Sequence, residues 1–171
     1  MSCHILIIAD GRSPTALSWS KNIQAMGYEI SLISTYPCQP PKSLLYFSIL
    51  PIAFSRIGST QADPKVSSPT PFKRLRRTFA PMLQTLRYFF GPLTVMSASK
   101  QFQQEVQRMQ PDLIHALRIP FEGMLGSYTP DDKPLLLSTW GNDLTLHAKG
   151  SFLMRKFTQR CLQRANGFMA D

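Results

Sequence analysis

The chain has 171 residues, 43% of them hydrophobic, which suffices for one domain with a real core and is too little for two ordinary ones. Nineteen Lys and Arg against ten Asp and Glu leave a formal charge of +9, which directs attention to anionic partners: nucleic acid, phosphorylated small molecules or an anionic membrane face. Three cysteines, Cys3, Cys38 and Cys161, cannot pair completely, and none stands in a CxxC pair or a Cys/His cluster with zinc spacing, so no metal site is expected. The amino end lacks the basic flank and long apolar run of a signal peptide, and no stretch approaches the ~20 apolar residues of a membrane span. A cytoplasmic protein is expected, with any membrane contact peripheral.

In chain order, His4 to Ala9 is a short β-prone run of the kind that both faces of a sheet bury. The polar turn Asp10-Gly11-Arg12-Ser13-Pro14 follows, then a helix over Thr15 to Met26, closed by Gly27 where a helix terminator belongs. Tyr28 to Thr35 reads as the second strand, completing the strand, helix, strand order of a right-handed crossover. Pro37, Pro40 and Pro41 break regular structure. Leu44 to Ile57 is apolar but interrupted by Pro51, and suits a strand or a buried helical turn equally. Residues 58–71 are expected to form a flexible loop.

From Pro71 the spacing is helical: Phe72, Leu75, Phe79, Leu83, Leu86 and Phe90 recur three or four apart among Lys73, Arg74, Arg76 and Arg77. Pro81 either splits this segment or opens a second helix, and Pro92 is expected to end it. A further helix runs from Val95 to Met109. Asp112 to Leu117 is the third strand candidate, Glu122 to Tyr128 a short helix, and Pro134 to Thr139 the fourth strand, ending at Trp140-Gly141-Asn142-Asp143. Ser151 to Arg164 is a helix with Phe152, Leu153, Phe157, Cys161 and Leu162 placed for one buried face. Ala165 to Asp171 enters a fifth strand. An α/β domain seldom stops inside a strand, so residues 1–171 are expected to be a single, incomplete domain.

Ligands of open parallel sheets gather beyond the carboxyl ends of the strands, where loops diverge and helix N-termini offer N–H groups to anions. Asp10 to Thr15, His115 to Pro120 and Trp140 to Asp143 fall on that edge. The first has no GxGxxG and no P-loop, which disfavours a dinucleotide dehydrogenase. Gly11 lets a ligand approach or simply makes a tight turn, with Ser13 or Thr15 capping the helix. His115 either exchanges hydrogen bonds with sugar hydroxyls or, as a core residue, bridges two backbone groups. Trp140 stacks on a sugar or covers the sheet edge, Gly141 allows close approach, and Asp143 orients a hydroxyl or caps a helix; spacing leaves these pairs open. His4 and His147 are weaker candidates, the first at the start of a buried strand and the second on a surface turn.

Between Pro64 and Gln104 lie seven basic residues and no acidic one. With Phe72, Leu75, Phe79, Tyr88, Phe89 and Phe90 interleaved, residues 71–90 suit a peripheral membrane or anionic-lipid binding module; the plain alternative is that the aromatics pack inward and the arginines keep the surface soluble. No nucleic-acid signature accompanies the charge, and no nucleic acid is expected as a partner.

The opening strand, turn and Trp19-bearing helix closed by Gly27-Tyr28-Glu29, the run Pro111-Asp112-Leu113-Ile114-His115-Ala116, the run Leu137 to Asp143, and the closing Ala165 to Asp171 stand in an order that resembles the N-terminal domain of a large glycosyltransferase family. This is the retaining family with two Rossmann-like domains, called group 1 or family 4, of GT-B fold. The resemblance implies an α/β domain with a Rossmann-like parallel sheet and helices on both faces, the N-terminal half of a GT-B architecture. It implies sugar transfer from a nucleotide-sugar, used as substrate rather than cofactor, to a hydroxyl acceptor that can be lipid-linked, with retention and without a catalytic metal. Polysaccharide or lipid-linked glycan synthesis at the inner face of the cell membrane is the setting it suggests. The C-terminal nucleotide-sugar domain is not in this chain, so the fragment alone is expected to be inactive. By the same resemblance His115 and Asp143 are the catalytic candidates, and Gly11, Ser13 and Gly141 border the donor. Two departures stand out: the first turn lacks the family's paired glycines, and Leu117 occupies the place of a second histidine.

Overall fold

The computed structural model describes residues 2–55 and 71–170, and the side chains of the helix that begins at Pro71 only from residue 85 onward. The expected loop at 58–71 therefore lies outside the described residues except for Pro71, where the helix starts. Six strands form one parallel sheet: β1 (His4–Ala9), β2 (Glu29–Ser34), β3 (Phe47–Ile49), β4 (Leu113–Ala116), β5 (Leu135–Thr139) and β6 (Gly167–Ala170). Their spatial order is β3-β2-β1-β4-β5-β6, a doubly wound, Rossmann-like arrangement with β1 at its centre. The ambiguous stretch after Leu44 supplies β3, so the sheet has one strand more than the five expected.

Alternation along β1 explains the two layers. Leu6 and Ile8 point to one face, where they meet α2 (Pro71–Met109), α3 (Met124–Gly126) and α5 (Phe152–Arg164). Ile5, Ile7 and Ala9 point to the other, against Ala16, Trp19 and Ile23 of α1 (Pro14–Ala25). Leu6, Ile7 and Ile8 are fully buried, and each such side chain contributes roughly 1.5–3 kcal/mol relative to exposure. Gly27, at φ +92°, ends α1 in the left-handed conformation its position called for.

The helix α2 departs from expectation. It runs unbroken through Pro81 and Pro92, where two or three helices were anticipated. Pro92 cannot donate to the carbonyl of Tyr88 one turn earlier; the Ser151 hydroxyl donates to that carbonyl instead, at 2.7 Å, while accepting from the Met154 N–H to cap α5. A side chain from a distant segment thus repairs the helix. The inner face of α2 is Val95, Phe102, Val106 and Met109. In α5 the buried face is Met154, Phe157, Thr158 and Cys161, whereas Phe152, expected inside, is 77% exposed.

His115 lies on β4, on the α1 face of the sheet, at 1% exposure. Trp19 Nε1 donates to His115 Nδ1 at 3.3 Å, and because an indole only donates, Nδ1 is the acceptor. The proton is therefore on Nε2, which donates to Ser138 Oγ at 2.9 Å. Both ring nitrogens are used inside the fold, so His115 is a core bridge, though between two side chains rather than the two backbone groups expected. Burial pushes the imidazole down from 6.5 to about 4.

That shift has a sign. The unfolded chain takes up a proton below about pH 6.5, while the folded sheet refuses it until about pH 4, so the stabilising contribution is complete above the first value and lost toward the second. Between about pH 7 and about pH 4.5 the parent should lose on the order of 2 kcal/mol more stability than His115→Gln, measured by urea unfolding at both pH values. Identical pH dependence in the two proteins would contradict the buried neutral imidazole.

Candidate functional site

The crossovers from β1 and from β4 leave the sheet on opposite faces, so the chain diverges between their carboxyl ends. A cavity of about 560 Å³ opens there, lined by Asp10 and Ser13 after β1, Tyr36 after β2, Arg87 and Tyr88 of α2, Leu117 to Glu122 after β4 except Ile119, Trp140 after β5, and His147. The three segments singled out along the sequence all reach this cleft. The residues that face it are for the most part different from those expected.

Two guanidinium groups dominate the electrostatics. Arg87 is held between rings, 4.6 Å from the Phe121 centroid and 5.5 Å from that of Tyr36. Its Nε is buried without a hydrogen-bond partner, and no carboxylate among the described residues forms an ion pair with it. Arg118 bonds the carboxylate of Asp143 at 3.2 Å and lies 5.0 Å from the Trp140 centroid, and its Nε is likewise buried and unpartnered. Arg12 differs: it grips Asp10 through two nitrogens at 3.0 and 2.9 Å while stacking 3.9 Å from the Tyr36 centroid, so its charge is already matched. The first turn of α1 adds N–H groups without an acidic side chain, and the Ser13 hydroxyl makes no cap bond.

The floor of the cleft is strained. Phe121 has φ +67° and ψ −53°, a conformation a bulky side chain rarely adopts. It is fixed from several sides: Gly91 has no Cβ where one would come within 2.6 Å of the ring, and Gly123 donates to the Arg118 carbonyl at 2.7 Å to close the turn. The next residue, Glu122, is thereby carried into the cleft at 6% exposure, with the Thr35 hydroxyl donating to Oε1 at 2.9 Å. Burial raises its pKa, against the pull of its own backbone N–H, Thr35, Arg118 and Arg87. Burial also raises the phenol of Tyr36.

His147, expected on a surface turn, lies on the cleft wall within the single turn His147–Lys149. Arg118 Nη2 donates to its Nε2 at 3.4 Å, which leaves Nδ1–H to donate to the Tyr88 hydroxyl at 2.7 Å. Burial and the neighbouring Arg118 lower its pKa.

Asp143 lies behind the wall rather than in it. It is fully buried in α4 (Gly141–Thr145), and Oδ2 accepts the backbone N–H groups of Trp140 and Ile119 at 3.1 and 3.2 Å. The carboxylate clamps the loop after β4 to the loop after β5 and aims Arg118 at the cavity, so the expected contact with an acceptor hydroxyl gives way to a positioning place. Gly11 is buried: its N–H donates to Ser34 Oγ at 3.0 Å, and an added Cβ would fall 2.6 Å from Cys38 Sγ. Its small size serves packing against the loop after β2. Gly141 is exposed, with open space where a Cβ would go, and does not line the cleft. Of the expected donor contacts only Ser13 faces the cavity. His4 is buried and shares a 2.7 Å hydrogen bond with Ser31. Among the described residues no group of three His, Cys, Asp or Glu side chains is placed to hold a metal ion.

Asp143→Ala leaves two buried N–H groups and the Arg118 charge without their acceptor, which should cost on the order of 3 kcal/mol in urea unfolding, with Asp143→Asn recovering part of the loss. An alanine variant within about 0.5 kcal/mol of the parent would contradict the clamp.

No family model matches the chain, and no curated protein does. Among solved structures the chain is similar to MurG of Acinetobacter baumannii, at 10% identity and a TM-score of 0.49, over 98% of this chain and 41% of that one. It is also similar to CalG4, the calicheamicin glycosyltransferase, at 16% identity and a TM-score of 0.44, over 81% of this chain and 32% of that one. The likeness is one of fold, at low identity, and the chain spans less than half the length of either structure.

Proposed function

We propose that the chain supplies one wall of the active cleft of a glycosyltransferase, which moves a sugar from a nucleotide-sugar to a hydroxyl acceptor with retention. The observation that carries this reading is the guanidinium of Arg87, whose buried Nε has no partner and which forms no ion pair with a described carboxylate, in a cleft at the sheet's switch point with Arg118 and the N-terminus of α1. A guanidinium withdrawn from water without a carboxylate is costly unless an anion completes it. A diphosphate suits this arrangement, because its oxygens accept both from arginine N–H groups and from the free N–H groups of a helix start.

In this reading a second domain closes the cleft and holds most of the donor. The bond from the anomeric carbon to the diphosphate oxygen breaks as the bond to the acceptor oxygen forms on the same face of the sugar. The hydroxyl proton passes to the departing diphosphate. Arg87 and Arg118 stabilise the charge that grows on that leaving group. Trp140, Tyr36 and Tyr88 offer ring faces to sugar or base, and Glu122, biased toward its neutral form, exchanges hydrogen bonds with a sugar hydroxyl.

Calorimetric titration with uridine diphosphate, guanosine diphosphate and inorganic pyrophosphate tests the reading, with adenosine as an uncharged control. At least one of the anions should bind saturably, and Arg87→Gln should weaken it by about tenfold or more, the loss expected for a charge-assisted hydrogen bond. Absence of saturable anion binding, or affinity unchanged in Arg87→Gln, would overturn it.

A further inference from the structure

The helix α2 carries two apolar faces. The inner one, Val95, Phe102, Val106 and Met109, belongs to the core. At about 100° per residue, Leu86, Phe89, Phe90, Leu93 and Met96 fall within roughly a third of the helix circumference on the side opposite to it. All five are between 41% and 51% exposed, so Phe89 and Phe90 do not pack inward, whereas Tyr88 packs against the core. Toward the amino end the sequence keeps the same phase with Leu75, Phe79 and Met82, interleaved with Lys73, Arg74, Arg76 and Arg77.

Charge selects the occupant of this stripe. From Pro64 to Gln104 seven positions are basic and none is acidic, so the segment that carries the stripe is wholly positive; of its described basic residues, Arg87 flanks the stripe and Lys100 falls within its phase. Leu, Met and Phe offer no hydrogen bonds, which disfavours a polar protein surface, and the aliphatic members give bases nothing to stack on. An exposed apolar face on a segment of wholly positive charge matches the boundary between acyl chains and anionic headgroups. Among the described residues no helix is long and apolar enough to cross a membrane, so contact of this kind is in the plane of the surface.

We propose that the outer face of α2 from Leu86 to Met96, with the basic run at its amino end, docks in the plane of an anionic lipid bilayer. The inference goes beyond sugar transfer and does not require it. Arg87 and Tyr88, on the same two turns, line the cleft from the other side of the helix, so a docked stripe leaves the cleft uncovered.

The test is flotation of the chain with vesicles of phosphatidylcholine and phosphatidylglycerol in equal parts, and with phosphatidylcholine alone. The parent should float with the anionic vesicles only. Phe89→Ser combined with Phe90→Ser should lower the partition about tenfold or more, since two half-buried aromatics are withdrawn from the interface. Changing Lys73, Arg74, Arg76 and Arg77 together to Gln should lower it on the order of a hundredfold or more. Thermal unfolding of each variant, with a transition like the parent's, establishes that the fold is intact. Failure to float, equal flotation with neutral vesicles, flotation unaffected by the serine pair, or self-association through this face without vesicle binding would each overturn the proposal. Diphosphate binding is measured without vesicles, so the two readings fail separately.

Discussion

A parallel sheet wound in both directions from its centre must part its loops at the switch point, and here that point is between β1 and β4. The parting is not left empty or filled with apolar side chains. Tyr36, Arg87, Arg118, Glu122, Trp140 and His147 are drawn into it from five separate segments. Burying polar groups in a cleft is costly unless their partners are supplied, and most are: Thr35 meets Glu122, Asp143 meets Arg118, Tyr88 meets His147. The exceptions are the two Nε atoms of Arg87 and Arg118. Among the described cleft residues those two donors stand out, and the proposed reading gives them an external acceptor.

The wall around them is held by constraints remote from any ligand. Asp143 joins two loops through the N–H groups of Ile119 and Trp140. Gly91 makes room for the strained Phe121, whose ring supports Arg87 and whose turn delivers Glu122. Substituting these residues would act through placement of the arginines, and so through ligand affinity, as well as through stability. The Arg118–His147–Tyr88 chain links the cleft to α2, the helix whose opposite face carries the exposed apolar stripe.

Much of the frame was legible in the residues. β1, β2, β4 and β5 are short apolar runs that the sheet buries on both faces, and Gly27 ends α1 where a left-handed residue is needed. Long-range partners explain what was not legible. Pro92 reads as a stop because its missing N–H is visible in the sequence, whereas the Ser151 hydroxyl that compensates lies 63 residues from the carbonyl it serves. His115 reads either as a sugar contact or as a core bridge, and what decides is Trp19, 96 residues away, which occupies its Nδ1. Asp143 reads equally as a residue that orients a hydroxyl or as a helix cap, and its burial and its bonds to the N–H groups of Trp140 and Ile119 separate the two. Arg87, Tyr36, Glu122 and His147 belong to no motif; they become a site only when the fold brings them together. The absence of acidic residues around 71–104 was the one signal of the outward-facing stripe, although spacing alone could not say which apolar face turned to the core.

The most direct measurement is of the arginine side chains themselves. In nitrogen-proton correlation spectra the Nε–H signals of Arg87 and Arg118, assigned by Arg87→Lys and Arg118→Lys, should shift together and saturably as inorganic pyrophosphate is added, while those of Arg155 and Arg164 stay in place. Unmoved Arg87 and Arg118 signals, or shifts spread evenly over all arginines, would contradict an anion-binding cleft at the switch point.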